Sequence, residues 1–202
     1  TNQLTANKSL VTPSLNVLQA VAKATEHRLA IPTVVLDEFL SNYEHDVASI
    51  VDDLRKQDSE LRRIYPAWNG PAIAVPKPTF VRVYHQRELE AMFHVLPLPE
   101  GVAEAALNRE ASRQLPASTN WDKPGIGARD VAIWLTVLAQ LPVASTVLFV
   151  SQDPRAFGES DLHPTLRTEA DSESPGKLKL FPNIPDLLDY LAQKRGPASE
   201  RE

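Results

Sequence analysis

Three acidic residues stand where strands give way to helices, and their type and placement are what this sequence offers for chemistry. Asp130 precedes the apolar residues Ile133, Trp134, Val137, Leu138 and Leu141, so it tops the stripe of an amphipathic helix. Asp153 follows Thr146 to Val150, a run dense in apolar and β-branched residues that reads as a strand covered on both faces. It sits just past the carboxyl end of that strand, where open α/β sheets keep their ligands. Glu38 falls in the first turn of a long helix that follows a short strand within Leu29 to Leu36, with Pro32 ending the ladder. Three hard oxygen donors on one rim suit Mg²⁺ or Mn²⁺, which prefer carboxylate and water. A hydrated cation held there lowers the pKa of a bound water and stabilises charge growing on a phosphate.

Each acid also has a plainer account. Acidic residues are favoured by a few tenths of a kcal/mol in the first turn of any helix, which would explain Glu38 and Asp130 taken singly. Asp153 before Pro154 could cap a turn. Spacing alone does not decide between the two accounts.

The remaining chemistry-bearing residues narrow the field. His27, His45, His85, His94 and His163 lack metal-ligand spacing, and the absence of cysteine excludes disulfides and thiolate metal sites. There is no Walker loop, no nucleophile elbow and no dinucleotide fingerprint. Gly125 and Gly127 are too few for a phosphate cradle and read as a loop that lets the chain approach closely at a helix start. Basic residues form small clusters at Arg62 and Arg63, Arg82 and Arg87, and Arg109 and Arg113, with Lys123 and Arg129 apart from them. Arg129, beside Asp130, could point at a phosphate or pair with a neighbouring acid. The net charge of −5 argues against nucleic-acid binding through overall positive charge, but leaves room for a local basic track beside an acidic centre.

The elements that must position these residues alternate in kind. A helix follows Pro13; the long helix from Val34 is apolar and periodic in its first half and heavily charged from Asp52 to Arg63, which should project into solvent. Pro66, Pro71, Pro76 and Pro78, four of the 17 prolines, mark a connecting excursion. Helices across Phe80 to Phe93 and Gly101 to Gln114 flank a short strand near Val95 and Leu96, and Leu115 to Pro124 is a loop. After Asp153 come a tight turn or one helical turn, a polar and mobile stretch from Ser160 to Gly176, a strand at Lys177 to Phe181, a helix at Ile184 to Leu191, and a loose tail, 196–202. Alternating helices and short strands imply an α/β fold with a mainly parallel sheet and helices on both faces. A chain of 202 residues accommodates this as one domain, 1–195. No apolar run approaches a membrane span and no signal-peptide pattern opens the chain, so a cytoplasmic protein without membrane contact is expected.

In order, these stretches resemble a PIN-domain ribonuclease. Ile31-Pro32-Thr33-Val34-Val35-Leu36-Asp37-Glu38 is similar to that family's strand, proline and Glu-bearing helix; Arg129-Asp130-Val131-Ala132-Ile133-Trp134 to its helix opening on Asp; Phe149-Val150-Ser151-Gln152-Asp153 to its strand ending in Thr/Ser-x-Asp. Leu107-Asn108-Arg109-Glu110, Arg113, Pro116 and Gly127 to Trp134 resemble a larger bacterial branch of it.

The resemblance implies a three-layer α/β/α fold with a central, mainly parallel sheet. It also implies Mg²⁺- or Mn²⁺-dependent endoribonuclease activity, in which a metal-activated water leaves a 5′-phosphate and a 3′-hydroxyl. Glu38, Asp130 and Asp153 would hold the metal, Asn2 and Ser151 would orient ligands or water, and Arg129, Arg109 and Arg113 would meet RNA phosphates. An antitoxin or other regulatory protein is an implied partner, and homo-oligomerisation is left open. The first acid of the family pattern would fall immediately before Thr1-Asn2, so a short strand ending in aspartate is expected upstream, with Thr1 and Asn2 at the rim near Asp130 and Asp153. The alternative is a catalytically degenerate PIN-like module that binds RNA or a protein.

Overall fold

Prolines set several of the element boundaries in the computed structural model, which describes residues 13–70, 77–120 and 127–195. Helix α1 (Pro13–Ala24) opens on a proline and buries Leu15, Leu18 and Ala22. Strand β1 is only Ala30–Pro32, because Pro32 has no amide to continue a ladder and its φ of −62° and ψ of 140° turn the chain into α2 (Thr33–Ile64). The Thr33 hydroxyl donates to the Leu96 carbonyl at 2.9 Å and so pins the start of α2 beside the next strand. The ladder thus ends at Pro32 as expected, leaving a strand of three residues, and Glu38 sits in the second turn of α2, not the first.

Helix α3 (Pro78–Met92) has proline at its start, where the missing amide costs nothing. Strand β2 (His94–Leu96), α4 (Val102–Ala111), α5 (Ala128–Leu138), β3 (Val147–Val150), α6 (Pro164–Glu173), β4 (Leu178–Phe181) and α7 (Ile184–Arg195) complete the order. Strands β1 and β2 pair in parallel with Ile31 opposite Val95, and β3 and β4 pair in parallel with Phe149 opposite Leu180. The protein is therefore α/β with short parallel strands, and the described strands form two separate pairs. All four residues of β3 are partly exposed, a correction to the expectation of a strand covered on both faces; β4 is its one described neighbour.

Two packing features place the site. Helix α5 is buried on nearly every side: Ile133, Trp134, Val137 and Leu138 face a large core with Phe39, Leu89, Leu166 and Leu178, while Val131 and Ala132 face a smaller one with Val102, Ala106 and Ala117. The amphipathic stripe of the sequence is one face of a helix with two apolar faces. The second feature is α6, which falls inside the stretch expected to be polar and mobile. Pro164 starts it, Leu166 and Ala170 are fully buried four residues apart, and Arg167 donates to the Leu178 carbonyl at 2.8 Å. Apart from Pro164 at its start, the other positions of this ten-residue helix are polar. By contrast the far half of α2, Asp52 to Ile64, is exposed apart from a half-buried Asp58, and carries local ion pairs such as Arg62 with Asp58 at 2.8 Å. No described helix is long and apolar enough to cross a membrane.

Candidate active site

Asp130 is the third residue of α5, and three features fix the start of that helix. Gly127 precedes it at φ +119°, and a Cβ there would meet the Ala117 Cα at 2.6 Å, so glycine is required by both conformation and close approach. The Glu110 carboxylate accepts the Ala128 amide at 3.1 Å, satisfying one of the open donors of the helix end. One turn beyond Asp130, the fully buried Trp134 donates its indole N–H to Glu169 at 2.8 Å, and Glu169 also accepts from Arg109 Nη2 with both carboxylate oxygens at 2.8 Å. Helices α4, α5 and α6 are thereby joined at a single carboxylate.

Asp153 is held by the turn that ends β3. The Ser151 amide donates to Phe181 at 3.0 Å, and the Ser151 hydroxyl accepts the Asp153 amide at 3.2 Å. Asp153 Oδ1 accepts the amides of Arg155 and Ala156 at 3.0 and 3.1 Å, winding one helical turn that buries Phe157. Phe157 meets Phe149 edge-on at 5.0 Å and Trp134 at 6.5 Å. The turn carrying Asp153 is thus packed against the helix carrying Asp130 through aromatic rings that both elements supply.

Glu38 lies between the buried Leu36, Phe39 and Leu40 on α2, and its Oε1 accepts from Arg129 Nη1 at 2.5 Å. This contact bridges α2 and α5. Arg129 is 65% exposed and Glu38 21%.

The electrostatics tie the three acids together. Burial pushes the Asp130 carboxyl up to about 6, the charges of Asp153 and Glu38 push the same way, and Arg129 opposes them. Asp130 therefore lies within the field of both other acids. Among the described residues, however, no group of three His, Cys, Asp or Glu side chains stands close enough to form a ready metal site. Glu38 Oε1 accepts from a guanidinium and Asp153 Oδ1 from two amides.

The other sequence candidates fall as follows. Arg109 is 18% exposed and engaged by Glu169; Arg113 follows α4 in the left-handed region at φ 55°, with its amide on the Glu110 carbonyl. Asn2, and with it the expected rim position of Thr1 and Asn2 and the strand before them, lies outside the described residues, as do Lys123 and Gly125. Sequence reasoning missed the cap from Glu110 and the junction at Glu169. The signal for the second was present, since Pro164, Leu166 and Ala170 carry helical spacing around Glu169.

The order of these elements, a Glu on the helix after a proline-ended strand, an Asp in the first turn of a buried helix and an Asp after Ser at a strand end, coincides with a family-model match to the PIN domain over residues 1–157. The chain belongs to the PIN-domain family. PIN domains are in general nucleases, and those nucleases typically use divalent metals. No curated protein and no solved structure matches the chain. The PIN match ends at Phe157, so α6, and with it Glu169, is supplied by sequence beyond it.

Proposed function

We propose that this PIN domain is a metal-dependent endoribonuclease, with Glu38, Asp130 and Asp153 as the acids of its active centre. One observation carries the reading: Asp130 is pushed to about 6 partly by the charges of Asp153 and Glu38, acids that come from three different elements of the chain. A protein tolerates such mutual repulsion where a cation relieves it. The donor set fits a hard cation, being entirely carboxylate. Mg²⁺ or Mn²⁺ bound there would supply a Lewis acid that activates water and stabilises charge on the phosphate. The residues of the chain do the rest. Asp130 is fixed by its helix start, Ser151 holds the turn that presents Asp153, and Glu38 projects from a buried stretch of α2. Arg129, exposed and adjacent, would meet a phosphate on leaving Glu38; Arg109 would first have to leave Glu169, and Arg113 is the third candidate contact. Asn2 is proposed as a ligand-orienting residue on the resemblance alone. The two parallel strand pairs are taken as parts of one central sheet in a three-layer domain spanning 1–195.

A second reading has its own observation. No three acids are preassembled among the described residues, which would suit a degenerate module that binds RNA or a regulatory protein such as an antitoxin without cleaving. Cleavage separates the two. Asp130→Asn should lower Mn²⁺-dependent cleavage of single-stranded RNA by at least about a hundredfold, the scale of removing one electrostatic group from a transition state. Circular dichroism should show the fold retained. Wild-type activity in Asp130→Asn would sink the catalytic assignment, and an inactive wild type would favour the binding module.

A further inference from the structure

We propose that Arg129 is an exchangeable cation of this site: its guanidinium holds Glu38 in the cation-free protein and passes to an RNA phosphate when a divalent cation takes Glu38. The inference rests on the proposed metal-dependent reading and adds a coupling between the two ligands. Its starting point is the contact between Arg129 Nη1 and Glu38 Oε1 at 2.5 Å, which joins α2 to α5 beside Asp130. The partners are unequal. Glu38 is 21% exposed on a stretch of helix where Leu36, Phe39 and Leu40 are buried, while Arg129 is 65% exposed. The arginine is the partner free to swing, and the glutamate stays.

Charge then decides what the arginine does. Asp130, Asp153 and Glu38 bring three negative charges into one neighbourhood, and Arg129 offsets one of them. A divalent cation on Glu38 would bring a double positive charge against a guanidinium that cannot lose its proton. At a separation of ~6 Å that repulsion is about 1 kcal/mol even in bulk water, and more near a protein surface. The arginine leaves, and the anion available at an RNA-cleaving site is a phosphate, which matches its planar fork of donors. Metal binding in the absence of RNA therefore works against Arg129, and RNA relieves that opposition. The coupling is reciprocal by linkage.

The test uses the full chain stripped of metal, with Mn²⁺ alone as the probe, read from the paramagnetic resonance of the free ion. Arg129→Gln should bind Mn²⁺ about threefold to tenfold more tightly than wild type when RNA is absent, the effect of deleting one competing charge. The same variant should bind single-stranded RNA less tightly, with the salt dependence of binding reduced by about one unit. A merely structural Arg129 would give equal or weaker Mn²⁺ binding in the variant, which would overturn the exchange while leaving the metal centre standing. If neither protein binds Mn²⁺, the exchange and the metal-dependent reading fall together.

Discussion

At the scale of single residues, Asp130 sets a measurable cost. Its carboxyl has an ordinary value of 3.8 and is raised to about 6, first by burial and then by Asp153, with Glu38 adding to it. Between those values the folded protein holds a proton that the unfolded chain has released. The stability Asp130 contributes is whole below the unfolded value and is lost as pH rises through the folded one. Asp130→Asn should therefore flatten this part of the stability curve and gain about 1–2 kcal/mol at neutral pH in metal-free buffer, allowing for solvent screening of a partly exposed group. Urea unfolding of both proteins at about pH 4 and pH 7.5 measures it; a variant less stable than wild type at the higher pH contradicts it. This residue was legible in the sequence, from its place above Ile133, Trp134 and Val137. That Arg129 pairs with Glu38 in particular was not, because the two are 91 residues apart and no spacing rule links them.

At the scale of elements, the junction of α4, α5 and α6 carries the site helix. Glu169 accepts from both the Trp134 indole and Arg109 Nη2, with Glu169 28% and Arg109 18% exposed. Glu169→Ala leaves a buried donor and a largely buried cation without their acceptor, and should cost about 2–3 kcal/mol. Glu169→Gln, which keeps one acceptor oxygen, should cost less. A loss below about 0.5 kcal/mol in Glu169→Ala, the range of ordinary surface changes, would show that the junction does not hold α5. The sequence signalled this element only through Pro164, Leu166 and Ala170, because eight of the ten residues of α6 are not buried and its composition reads as loop. The start of α2 was legible to within one residue, because Pro32 ends the ladder and helical spacing begins at Val34, while the helix itself starts at Thr33.

At the scale of the whole molecule, the α/β class and the order of acids were legible because each rests on local pattern: periodicity in α5, β-branched density in β3, and proline before α2. Those same motifs carried the family, and the PIN match over residues 1–157 bears it out. What local pattern does not carry is the approach of oxygens to one another. The three acids share a field yet are not preassembled among the described residues, and a guanidinium and two backbone amides are on oxygens of Glu38 and Asp153. The central claim is that this arrangement hydrolyses RNA when a cation is supplied. It is tested most directly by adding Mn²⁺ to the metal-stripped protein with an end-labelled single-stranded RNA in ¹⁸O-water, and determining the chemistry of the new ends. The expected result is no cleavage in chelator and, with Mn²⁺, fragments bearing a 3′-hydroxyl and a 5′-phosphate that has gained ¹⁸O. Cleavage that persists in chelator, or fragments ending in 2′,3′-cyclic phosphate, would contradict it.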